Sequence, residues 1–135
     1  MRLSTKGRYG MHAMIFLGEQ VGNGPQPLKK IAQTGVPEQY LEQLLGSLRR
    51  GGLVTTVRGT LGGYMLSKKP EEITLEEILA VTEGPFQFSD CLVEGGSCEK
   101  SDQCSSKKVW AYVNDKINDV LRQITLEEIV AQEKK

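Results

Sequence analysis

The chain has 135 residues, of which 17 Lys/Arg balance 17 Asp/Glu to a formal net charge of zero. That length suits one compact domain, or a small domain with an oligomerisation element, and no stretch approaches the roughly 20 apolar residues needed to span a bilayer. The basic start Met1-Arg2-Leu3-Ser4-Thr5-Lys6 lacks a following apolar core of signal-peptide type, so a cytoplasmic setting without structural disulfides or membrane attachment is expected.

In chain order, Met11, Met14, Ile15 and Leu17 recur at helical spacing and predict a helix from Thr5 to about Val21, ended by Gly22-Asn23-Gly24-Pro25. A short helix follows from Pro27, with Leu28, Ile31 and Ala32 on one face, and stops at Thr34-Gly35, where glycine accepts a left-handed turn. Pro37 suits the first position of a third helix, in which Leu41, Leu44, Leu45 and Leu48 form an apolar stripe. Glu38, Gln39, Glu42, Gln43, Ser47 and Arg50 are then left to project outward. Beyond Arg49-Arg50-Gly51-Gly52, the β-branched run Leu53 to Val57 predicts a strand, Arg58-Gly59-Thr60-Leu61-Gly62-Gly63 a tight hairpin, and Tyr64-Met65-Leu66 its return. Two short helices joined by a tight turn and followed by a basic hairpin make a winged helix-turn-helix, whose Gln, Glu and Arg side chains have the chemistry of major-groove readout.

From residue 71 the charge reverses. Residues 1–70 carry ten Lys/Arg against three Asp/Glu, a net +7, and residues 71–135 carry seven against fourteen, a net −7. The basic part can neutralise phosphates, while the acidic part is better placed facing away from nucleic acid. The phrases Ile73-Thr74-Leu75-Glu76-Glu77-Ile78 and Ile124-Thr125-Leu126-Glu127-Glu128-Ile129 read as two capping boxes at helix starts rather than as an internal repeat.

Between them lie all three cysteines, Cys91, Cys98 and Cys104, separated by six and five mostly polar residues. Thiols in such a setting remain accessible for metal binding or oxidation, and three soft ligands suit an iron-sulfur cluster or a zinc ion, either of which usually takes four. Val109, Val113, Ile117, Val120 and Ile124 then predict a helix of about 20 residues and about 30 Å, long enough for part of its stripe to meet a second subunit. The expected architecture is mainly α with a small β-hairpin wing. It divides into a winged helix-turn-helix over 1–70 and a sensor loop with dimerisation helices over 71–135, together one compact unit. A two-fold dimer would set its reading helices roughly 34 Å apart and call for a palindromic site.

Several segments carry a family resemblance: residues 1–9, Tyr40-Leu41-Glu42-Gln43-Leu44, Leu48 to Val54, Arg58 to Tyr64, the cysteines and Trp110. Over most of its length the chain resembles the IscR-type iron-sulfur winged-helix transcriptional regulators, a family shared with NsrR and CymR. The resemblance implies a homodimeric repressor of iron-sulfur assembly genes, with a 2Fe-2S cluster held by Cys91, Cys98 and Cys104. The residues expected at the DNA are Arg2, Lys6, Gln39, Tyr40, Glu42, Gln43, Ser47, Arg50, Arg58 and Gly59. Enterobacterial members place a histidine three residues after the last cysteine, where this chain has Lys107, and a protonated lysine cannot donate a lone pair. Some relatives recruit the missing ligand from the first helix of the partner subunit, near the positions of Arg8 and His12. His12, the only histidine, is therefore a candidate metal ligand beside Asp90, Glu94, Glu99, Asp102 or an exogenous thiol, its plainer reading being a partly exposed helix residue. The alternatives are a thiol-redox-sensing regulator without a cluster and an iron-sulfur carrier protein. No nucleophile, base and orienting residue come together, so no catalytic residues are assigned and an enzyme is not expected.

Overall fold

A computed structural model describes residues 3–86 and 106–133. Helix α1, Thr5–Glu19, opens on Ser4, whose hydroxyl accepts the Gly7 N–H at 3.1 Å. It stops short of Val21 because the Gln20 N–H is shared between the carbonyls of Phe16 and Leu17, each at 3.2 Å, which tightens the last turn. Helix α2, Leu28–Ala32, buries Ile31 and leads into Gly35, whose φ of +101° makes the turn that a side chain would resist. Helix α3, Glu38–Arg50, begins immediately after Pro37, which sits at the N-cap position outside the helix and makes no side-chain cap. Leu41, Leu44, Leu45 and Leu48 are all buried, as their i, i+3, i+4, i+7 spacing requires.

Strands β1, Val54–Val57, and β2, Gly63–Leu66, pair antiparallel with Val54 opposite Leu66 and Val57 opposite Gly63. Leu53 stays outside the ladder. Its N–H bonds the Leu48 carbonyl at 3.0 Å and its carbonyl accepts the Ser67 N–H at 3.1 Å, so it seals the base of the hairpin to α3. On the other side β2 is joined to the segment ahead of α2: Gln26 N–H to Tyr64 carbonyl and Tyr64 N–H to Gln26 carbonyl, both 2.8 Å. The hairpin is therefore hydrogen-bonded to the helix-turn-helix on both flanks.

A 3₁₀ turn at Pro70–Glu72 precedes α4, Leu75–Thr82, and the chain resumes in α5, Lys107–Gln123, and α6, Leu126–Glu133. Both Thr caps form as expected: Thr74 Oγ1 accepts the Glu77 N–H and Thr125 Oγ1 the Glu128 N–H, each at 3.2 Å. The two similar phrases do more than cap. The Leu75 N–H bonds the Ile124 carbonyl and the Leu126 N–H the Ile73 carbonyl, both at 2.8 Å, so the starts of α4 and α6 are joined in an antiparallel bridge.

One core runs through both charge halves, from Ala13, Met14 and Leu17 of α1 through the α3 leucines to Ile78, Leu126 and Val130. Helix α1 is its common strut, packed against α3, α4 and α6. Close approach there depends on missing side chains: a Cβ on Gly10 would stand 2.7 Å from Thr82 Cγ2, and one on Gly18 2.8 Å from Val130 Cγ2.

Candidate nucleic-acid interface

With four leucines holding one side of α3 in the core, Gln39, Glu42, Gln43 and Arg50 are exposed on the other and Ser47 is half-buried. Arg50 Nη2 donates to Ser47 Oγ at 3.2 Å, one turn back, which orients the guanidinium along the helix surface. Tyr40 is half-buried against Tyr9 of α1, ring centroids 5.4 Å apart and planes at 69°, the edge-to-face arrangement favoured by aromatic quadrupoles. Lys6 is brought to the same place: with Tyr40, Gln43, Leu44 and Ser47 it lines a recess of about 130 Å³ between the first turn of α1 and α3. An ammonium, two hydroxyls and an amide thus share one face, although Lys6 lies more than 30 residues from the other three polar groups.

Arg58 and Gly59 stand exposed on the hairpin, where Gly59 has φ +111° and its carbonyl accepts the Gly62 N–H at 3.1 Å to close the turn. Arg2 lies outside the described residues, so nine of the ten expected DNA-facing residues are placed, distributed over the start of α1, α3 and the hairpin. Two features of this region have no signal in the sequence. One is the Gln26–Tyr64 pairing that docks the hairpin. The other is Glu83, whose Oε1 accepts the Ser4 N–H at 2.9 Å and also the Ser4 hydroxyl across 79 positions, tying the end of α4 to the N-terminus of α1. A carboxylate there is favoured by the helix dipole, and Gly7 leaves it room: a Cβ at Gly7 would stand 2.2 Å from Glu83 Oε1.

Residues 3–132 match the Rrf2 family, described as iron-dependent transcriptional regulators. The chain belongs to the Rrf2 family. It is 40% identical over 132 residues to the transcriptional regulator CymR of Bacillus subtilis, covering 97% of this chain and 91% of that protein. It is 38% identical over 131 residues to the regulator IscR of Pectobacterium carotovorum, covering 96% and 79%. Among solved structures, that of B. subtilis CymR, titled the global cysteine regulator, superposes with a TM-score of 0.80 at 41% identity over 98% of both chains. The IscR of T. potens superposes with a TM-score of 0.78 at 39% identity, over 98% of this chain and 88% of that one. This Rrf2 chain is thus a DNA-binding transcriptional regulator of winged-helix fold, and its relatives are regulators, not enzymes.

Cys91, Cys98 and Cys104 lie outside the described residues, as do Asp90, Glu94, Glu99 and Asp102. Among the described residues no three His, Cys, Asp or Glu side chains gather as a metal site. In chemistry, three cysteine sulfurs would be soft donors of the kind a 2Fe-2S group takes, and a fourth donor would have to come from another residue. His12 is exposed on α1. Together with Arg8 one turn away, Met11, Ile15 and Phe16 it lines an open groove of about 540 Å³.

Helix α5 rests on α4, and Arg122 Nε meets Glu76 Oε2 at 2.8 Å. Asn114 is the one buried residue of α5. Of the predicted apolar stripe, Val113 and Ile117 are half-buried, while Val109 and Val120 are exposed, together with Tyr112 at 64%. No described helix is long and apolar enough to cross a membrane.

Proposed function

We propose that this Rrf2 regulator is a cytoplasmic homodimeric repressor of iron-sulfur cluster assembly genes. In this reading residues 1–70 bind palindromic promoter DNA, and residues 71–135 provide the dimer seam and a sensor of cluster supply. The single observation that carries the DNA half is the exposed polar face of α3, fixed by buried leucines and continuous with Lys6 and the docked hairpin bearing Arg58. In the groove, Gln39 and Gln43 offer amides to adenine edges, Glu42 accepts from a cytosine amine, and Arg50 and Arg58 engage guanine or phosphate. Lys6, Tyr40, Ser47, Gly59 and Arg2 hold the backbone phosphates that set the register. Val109, Tyr112 and Val120, exposed along α5 among the described residues, support a second copy packed on that helix.

The sensor reading is supported by the family's iron-dependent description and by the thiolate donor set. Cys91, Cys98 and Cys104 would hold the 2Fe-2S group, with His12 of the partner protomer's α1 as candidate for the remaining position. When bound, the group supplies an iron centre that responds to oxidants and to cluster supply. The test is anaerobic reconstitution with iron and sulfide. A brown protein is expected, its visible absorbance lost on replacing any one cysteine by alanine. A colourless product holding one zinc would overturn the cluster.

A second reading, a thiol switch without a cluster, is favoured by a specific observation. The solved neighbours include an oxidised form of CymR from Staphylococcus aureus, 37% identical with a TM-score of 0.75. It predicts a disulfide or sulfenic acid among the three cysteines after mild peroxide, read by mass spectrometry.

A further inference from the structure

We propose that the hairpin is an apolar wedge for the minor groove, with Leu61 as its tip. Leu61 is 91% exposed, near the limit for a side chain in a folded chain. A single exposed leucine is ordinary, but this one does not stand alone. In the observed register Thr55 pairs with Met65 and Val57 with Gly63, so Thr55, Val57 and Met65 share one face of the ribbon, and Val57 and Met65 are exposed. The opposite face carries Val54, Tyr64 and Leu66, which pack on the core. Val57 and Met65 therefore make the outer face of the ribbon apolar, and Leu61 stands exposed at its tip.

The tip is also narrow. The Gly59–Gly62 hydrogen bond closes the loop, and Gly59, Gly62 and Gly63 have no side chains, leaving Thr60 and Leu61 alone to project. At Gly62 a Cβ would lie 2.0 Å from the Val57 carbonyl oxygen, so the slim profile is imposed by the backbone. A minor groove about 6 Å wide admits such a tip, and leucine is among the side chains that can wedge at a base step and cover deoxyribose. Charge selects DNA over a protein partner. From Gln43 to Pro70 the chain has five Lys/Arg and no Asp or Glu, and Arg58 adjoins the tip. Leu61 thereby contributes affinity through burial, without neutralising phosphate, and favours A·T steps because a guanine N2 amine would occupy the groove floor.

This inference rests on the DNA-binding reading, and the experiment separates the two. A binding site is selected from a random duplex pool with the full chain, the wing position is mapped by footprinting, and affinity is titrated against salt. Leu61→Ala is expected to bind about tenfold more weakly with an unchanged salt slope, while Leu61→Met stays near wild type. Replacing A·T by G·C under the wing weakens the wild type more than Leu61→Ala, and inosine in place of guanine restores it. Circular dichroism checks the fold of each variant. If Leu61→Ala binds as well as wild type, or if its loss comes with a shallower salt slope, the wedge is overturned and the DNA-binding reading stands. If the wild type selects no duplex, that reading falls and the wedge with it.

Discussion

Gly63→Ala tests whether the hairpin is held in its reading position by the segment ahead of α2. Gly63 has φ +152°, and a Cβ there would stand 2.3 Å from the Gln26 carbonyl oxygen and 2.9 Å from Pro27 N, all backbone that no rotamer change can move. Backbone strain at such a position costs about 1–3 kcal/mol. Relieving the clash means parting β2 from Gln26, which gives up two hydrogen bonds of 2.8 Å, each worth about 1 kcal/mol net. The expected destabilisation is about 3–5 kcal/mol, a large share of the 5–15 kcal/mol that typically holds a domain. Gly52→Ala is the matched control: φ is +82° but nothing lies within 4 Å of an added Cβ, so strain acts alone, at about 1–2 kcal/mol. Urea unfolding followed by circular dichroism measures both, and a gel shift should show Gly63→Ala losing DNA affinity well beyond Gly52→Ala while still folded. Equal losses for the two variants would refute the docking role of Gln26.

Arg58→Ala should weaken DNA binding by about 1–3 kcal/mol and make the salt dependence shallower, since a phosphate or groove contact is lost; titration at several salt concentrations reads both. Glu42→Ala should enlarge the set of sequences recovered from a random duplex pool while leaving affinity for the best site nearly unchanged, because a carboxylate on the reading face repels phosphate wherever no cytosine amine satisfies it. Val120→Asp lies on the exposed side of α5 and should change single-chain stability by no more than about 0.5 kcal/mol. In a dimer seamed along α5 it buries an unpaired charge, so sedimentation should show monomers, whereas an unchanged association state would refute that seam.

How legible these features were depended on whether the determining contacts were local. Leu41, Leu44, Leu45 and Leu48 announce both α3 and its buried side, because helical periodicity is a property of neighbouring residues. The Thr caps of α4 and α6 are legible for the same reason. The helix ends were less so: α1 stops at Glu19 and α3 starts after Pro37, details set by how orphan backbone groups find partners. What joins distant segments left no trace. Lys6 beside Tyr40 and Gln43, Glu83 on Ser4, and Gln26 on Tyr64 each require the fold before the pair exists. The repeated phrases show the limit clearly. Capping accounts for the Thr and Glu in each, but their mutual bridge depends on α4 and α6 starting side by side, which only the shared core arranges.

The sharp charge division at residue 70 does not produce two bodies, and that restricts how any signal can reach the DNA. Ile78 of α4 and Leu126 of α6 are fully buried against the α1 and α3 core, and exposing each would cost about 1.5–3 kcal/mol before the remaining contacts are counted. Coupling free energies between two ligands usually amount to about 1–3 kcal/mol. A cue of that size cannot part α4 or α6 from α1, so the packing of α4 and α6 on α1 and the buried leucines of α3 stay intact under it. Helix α5 packs on α4 with Asn114 buried and with the Arg122–Glu76 pair, a partly exposed bridge of small worth, between them. In the proposed dimer seamed along α5, a shift of that helix would change the separation of the two α3 helices, and with it the match to half-sites roughly 34 Å apart.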